Sequence, residues 1–117
     1  MKNILTAILA GTLLLSSSPA EARDVVSDDG NQLLSDCSDD SGYMQGFCLG
    51  YIRALDNGMI MLLALNNKKY CRPQGVTVGQ VRDVYLSYIR RHPAERNQNN
   101  LGLALSANNE AWPCDGI

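Results

Sequence analysis

The stretch "SGYMQGFCLGYIRALDNGMIMLLALNN", residues 41–67, decides the fold. Met44, Phe47, Cys48, Tyr51, Ile52, Leu55, Met59, Leu62 and Leu63 recur at intervals of three and four, the stripe of a helix with one buried face. Gln45, Arg53, Asp56 and Asn57 occupy its other side. After Gly58 that division fails, because Ile60, Met61, Ala64 and Leu65 add apolar surface where the first half was polar. Such a helix end needs a second cover, either further helices or another chain. The patch of Met59, Ile60, Met61 and Leu65 suits protein contact, and a homodimer covers two such ends by symmetry.

Upstream, "RDVVSDDGNQLLSDC" (23–37) is polar, with a short leading helix expected through Gln32, Leu33 and Leu34 and a staple at Cys37. "SDDSG" (38–42) follows as a turn, since Ser and Asp side chains bond the local backbone. Downstream, "NNKKYCRPQG" (66–75) breaks the pattern, and Thr77 stands where an N-cap belongs. The next helix is predicted from about Val78 to Arg91, with Val78, Val81, Tyr85, Tyr88 and Ile89 inside. Its end is marked by Arg90, Arg91 and His92, which suit the negative end of a helix dipole, and by Pro93. After the polar connector "AERNQNN" (94–100), Leu101, Ala104, Leu105, Asn108 and Trp112 describe a last helix that stops at Pro113. Gly102 weakens that helix by about 1 kcal/mol relative to Ala. The expected fold is therefore all-α, a small bundle of about four helices stapled by disulfides, with no β-sheet.

The staples are Cys37, Cys48, Cys71 and Cys114. A zinc site would need close cysteine pairs or histidines, and the sole histidine is His92. Helices joined by short connections pack antiparallel, which brings Cys71 to Cys114 and leaves Cys37 for Cys48. The crossed pairings ask Cys71 to reach back along the long helix by roughly 30 Å at 1.5 Å per residue. A bent helix would reopen them.

The opening "MKNILTAILAGTLLLSSSPAEA" joins Lys2, an apolar run and Ala20-Glu21-Ala22, the pattern of a cleaved secretory leader over residues 1–22. Its apolar run falls short of the roughly 20 residues that span a bilayer. Residues 23–117 form one expected domain in an oxidising compartment, where two disulfides persist. Removing Lys2 and Glu21 from ten basic and twelve acidic residues leaves nine and eleven. A balance two negative excludes a general nucleic-acid binder, which needs a basic stripe, and no membrane contact is expected after cleavage.

Catalysis finds little support. The sequence holds no G-x-S-x-G, P-loop, H-E-x-x-H or dinucleotide fingerprint. His92, beside Pro93 at a helix end, reads as a cap rather than a base. Asp28-Asp29 and Asp39-Asp40 lack the alternating ligands of a calcium loop and read as solvated turns. Tyr43, Tyr51, Tyr85 and Tyr88, at helical spacing, read as core. Neither a metal nor a cofactor is expected.

Four motifs in order, "FCLGYI" (47–52), "CRPQGVTVGQ" (71–80), "YIRRHP" (88–93) and "ALSANNEAWPC" (104–114), resemble the Tai and Rap family of immunity proteins, which guard bacteria against amidase effectors delivered by type VI secretion. The resemblance implies a periplasmic helical protein, homodimeric in some members, that blocks a peptidoglycan-cleaving amidase. By position, Cys48, Cys71 and Cys114 match the family's structural cysteines, and Gly50, Tyr51, Pro73, Gly75, Thr77, Gln80, Pro93 and Pro113 its framework. Ala54 stands where members often carry a second Gly, and Ala94 where they carry an acidic residue after His-Pro. The resemblance also implies a protruding loop in the amidase cleft. Glu95, Arg96, Asn97 and Asn99 are the first candidates for partner contact, and Lys68, Lys69 and Tyr70 form a second rim. The rival function is a periplasmic acid or stress chaperone that exposes concealed apolar surface when its carboxylates protonate.

Overall fold

The computed structural model describes residues 28–115; the leader assigned to residues 1–22 lies outside them. Four α-helices follow in order, α1 (Gly30–Ser38), α2 (Gly42–Leu65), α3 (Val78–Arg91) and α4 (Asn100–Ala111), with a 3-10 turn at Pro93–Glu95. No sheet occurs among the described residues; one isolated bridge joins Asp29 to Asn99. The bundle is all-α, as the periodicity predicts.

Each helix begins on a side chain that takes up a free amide. Asp29 accepts from Gln32 N, Ser41 from Met44 N and Asn99 from Leu101 N. Thr77 forms a reciprocal capping box with Gln80. Each cap contributes about 1 kcal/mol. Nine-residue α1 is too short to stand alone and depends on its packing. Space is short at its first residue: a Cβ on Gly30 would lie 2.7 Å from the tip of the Leu103 side chain and 3.1 Å from Arg96 O, so a larger residue there would require both to shift.

The buried line of α2 is Cys48, Ile52, Met59 and Leu63, and it packs on all three other helices. From α3 come Val81, Tyr85, Leu86, Tyr88 and Ile89; from α4 come Leu103, Ala104 and Ala107. The alanines let α3 and α4 approach closely. Both disulfides join the pairs that antiparallel packing favours, Cys37–Cys48 and Cys71–Cys114, each with a Cα separation of 5.1 Å.

The sequence reading of α2 needs correction at several positions. Met59, assigned to a dimer surface, is wholly buried, with its sulfur 3.7 Å from the Tyr85 hydroxyl. Phe47, Leu62 and Tyr43, assigned to the core, are exposed, Tyr43 by 79 %. Val78 on α3 is exposed as well. On α2 the reason is direction around the helix: Cys48 and Leu63, next in sequence to Phe47 and Leu62, are buried at the same level, so the covered stripe is narrower than the apolar one. Ile60 is half-buried against the core, whereas Met61 and Leu65 remain 65 % and 76 % exposed. By length and composition α2 also matches a membrane span, with mean hydropathy 1.3. Its buried line packs on three helices and its Asp56 pairs with Arg72, while 22 % of its 18-residue apolar window is buried in the bundle.

Candidate partner-binding surface

Two polar segments lie at helix ends, and the fold treats them differently. The first begins where α2 stops. Asn67 takes a positive φ of 51°, Lys68 N donates to Leu63 O at 2.9 Å and Asn67 N to Ala64 O at 3.2 Å. This is a Schellman ending with asparagine in the left-handed position. It turns the chain away from the helix axis and leaves Lys68 and Lys69 exposed.

The far side of this segment is fastened by Arg72. Its side chain, 6 % exposed, forms two parallel hydrogen bonds to Asp56 at 2.8 and 2.7 Å. It also donates to Asn108 Oδ1 at 2.9 Å, while the Tyr85 hydroxyl donates to Asp56 at 2.8 Å. The guanidinium lies 4.7 Å from the Trp112 ring centre and 5.2 Å from that of Tyr70. Burial works against the charge on Arg72, but its hydrogen bonds to Asp56 and the attraction between them outweigh this and raise its pKa above the ordinary value. Burial first, then the bond to Asp56, pushes the Tyr85 phenol upward. One cluster thus joins α2, α3, α4 and the loop, and Cys71–Cys114 reinforces it covalently beside Tyr70, Arg72 and Trp112.

The second segment, between α3 and α4, is held by its own charged side chains. Arg96 donates to Ile89 O at 2.9 Å and Arg90 O at 3.0 Å, capping the negative end of α3. Tyr88 donates to Glu95 at 2.6 Å, and this bond is the main cause of the raised Tyr88 pKa. His92, the C-cap of α3, places Nδ1 2.8 Å from Tyr88 O and stacks on the Tyr88 ring at 4.0 Å. The backbone is clamped to the start of α1 by Asn31 N to Arg96 O and Asn100 N to Asp28 O.

Of the predicted contact residues, Lys68, Lys69, Tyr70 and Asn97 face solvent at least in part. Glu95 and Arg96 are partly buried and engaged within the fold, and Asn99, though exposed, caps α4. An open hollow of about 460 Å³ lies beside the lysines, floored by Leu63, Leu105 and Pro113 and edged by Asn109 and Cys114. Sequence reasoning missed the Arg72 cluster, having put Asp56 on the outer face. Asn108 was the available signal, since an amide in an otherwise apolar register is a request for a buried partner.

The surface thus consists of a basic turn mounted on the Arg72 cluster. The family model described as Rap1a immunity proteins matches residues 29–114, from the cap of α1 to the last cysteine. The chain belongs to this family. Rap1a membership implies an effector-immunity role, exercised by binding a cognate effector without turnover. Every helix, both disulfides and the Arg72 cluster fall within the matched span. Comparisons with curated proteins and with solved structures gave no match.

Proposed function

We propose that residues 23–117, after loss of the leader, act in the periplasm as an immunity protein that binds a peptidoglycan amidase delivered by type VI secretion and occludes its active site. The observation that carries this reading is the Rap1a family match across all four cysteines. The paired disulfides suit an oxidising compartment.

In this reading the amidase meets the turn at Lys68, Lys69 and Tyr70, with Asn97 as a further contact. The Schellman ending and the Arg72 cluster hold that turn before binding, so little ordering cost remains for association. The exposed Met61 and Leu65, with half-buried Ile60, would meet a second copy, making the protein a homodimer.

The test is a pull-down with tagged residues 23–117 at neutral pH under oxidising conditions, using periplasmic extract of competing bacteria. One stoichiometric amidase is expected. Recovery of nothing at neutral pH but many unfolded clients on acidification would replace this reading with the chaperone. A monomeric mass at micromolar concentration would remove the homodimer.

A further inference from the structure

The two disulfides sit in opposite surroundings. Cys48 is wholly buried and Cys37 nearly so, within the core that α1 and α2 share. Cys71 is half-buried, and its partner Cys114 is exposed past the end of α4. Cys114 also edges the open hollow of about 460 Å³, in company with Lys68, Lys69 and Asn109, whereas Cys71 is not part of that wall. One crosslink is closed inside the bundle; the other can be reached from solvent, and at a definite sulfur.

Access governs the rate of thiol–disulfide exchange, because a thiolate must touch the sulfur that it attacks. A hollow of this size admits the tip of a protein loop, and the two exposed lysines at its edge attract an incoming anion. What the crosslink holds is local. Among the described residues, the chain past Trp112 is tied to the lysine turn through Cys114, which is bonded to Cys71 and has its Sγ 3.6 Å from Lys69 O. The Arg72–Asp56 pair and the bond from Trp112 N to Asn108 O stand apart from that tie.

We propose that Cys114 Sγ is a site of thiol–disulfide exchange, entered from the lysine-rimmed hollow by a dithiol oxidoreductase, and that Cys71–Cys114 opens there while Cys37–Cys48 stays closed. One thiolate of the dithiol bonds to Cys114 Sγ; the S–S bond breaks, and Cys71 leaves as a thiolate that takes up a proton. The second thiol of the dithiol then displaces Cys114. The protein gains two electrons and two protons, and the dithiol departs as a disulfide. Access sets this order, whichever crosslink stabilises the fold more. Opening removes the wall formed by Pro113 and Cys114 and frees one side of the lysine turn, with Arg72 still on Asp56. On the proposed function, effector contact at Lys68 and Lys69 then comes under redox control; that consequence rests on that reading, and the exchange itself does not.

The probe is dithiothreitol, added at neutral pH to the oxidised protein, with thiols trapped at intervals by iodoacetamide and located by peptide mass spectrometry. Cys71 and Cys114 are expected to be alkylated together, about tenfold or more ahead of Cys37 and Cys48. The anionic monothiol 2-mercaptoethanesulfonate is expected to form its adduct on Cys114, about threefold more slowly when Lys68→Gln and Lys69→Gln are combined. In protein opened and alkylated at Cys71 and Cys114 alone, amide exchange should rise at residues 68–71 and stay unchanged at 81–89. Equal opening of both disulfides, earlier opening of Cys37–Cys48, an adduct on Cys71, an unaltered rate without the lysines, or unaltered exchange at 68–71 would each overturn the proposal. None of these readouts uses the effector, so their outcome is independent of the pull-down.

Discussion

The loop at residues 66–77 and the connector at residues 92–99 look alike as strings of polar residues, yet their charges do opposite work. The connector turns Glu95 and Arg96 inward, onto Tyr88 and the last carbonyls of α3. The loop turns one arginine inward, Arg72, and leaves two lysines outside. A polar segment becomes available to a partner when something else holds it. In the loop that something is an ion pair, two rings and a disulfide; in the connector the charged side chains themselves are the fastening.

The contrast can be broken most forcefully at Arg72. Arg72→Ala strands Asp56 beside buried Tyr85 and is expected to cost about 3–5 kcal/mol in denaturant unfolding. A loss below about 1 kcal/mol would mean that the cluster does not hold the loop. Opening Cys71–Cys114 with serine at both positions releases a crosslink spanning 43 residues of separation. The expected loss is about 2–4 kcal/mol, and it should exceed that from opening Cys37–Cys48, whose separation is 11. Thermal melts of the two double variants check the order.

Smaller changes sharpen the comparison. Arg96→Ala removes two bonds to backbone carbonyls and should cost about 1–2 kcal/mol, with amide exchange rising first at Ile89 to His92. Replacing both Lys68 and Lys69 by Ala should leave stability within about 0.5 kcal/mol. On the proposed function it should weaken effector binding at least tenfold by calorimetry. If Asn97→Ala weakens binding more than the lysine pair does, the connector is the principal contact.

Much of this was legible in the chain itself. Thr77 with Gln80, the stop at Pro93 and the antiparallel order of short helices led to the caps, the helix ends and the disulfide pairs, because each is a local rule with a single physical cause. The faces of α2 were harder. A period near 3.6 locates a stripe, but which residues at its margins are covered depends on how far around α2 the neighbouring helices wrap; Phe47 and Leu62 face outside that arc, whereas Cys48, Met59 and Leu63 face into it. Asp56 was misplaced because a carboxylate on a helix reads as solvated until its partner is known, and Arg72 lies 16 residues further on in a loop without periodicity. Glu95 and Arg96 illustrate the same limit in reverse, since charge in a connector resembles a binding site until the carbonyls it caps are in view.

Trp112 is the chain's sole tryptophan, and it sits against the Arg72 guanidinium beside the Cys71–Cys114 crosslink. The protein therefore carries its own optical gauge. Excited to the red of tyrosine absorption, indole emission reports the condition of this one corner without labels. Its quenching and wavelength would follow reduction or strain there while the remainder of the bundle stays dark.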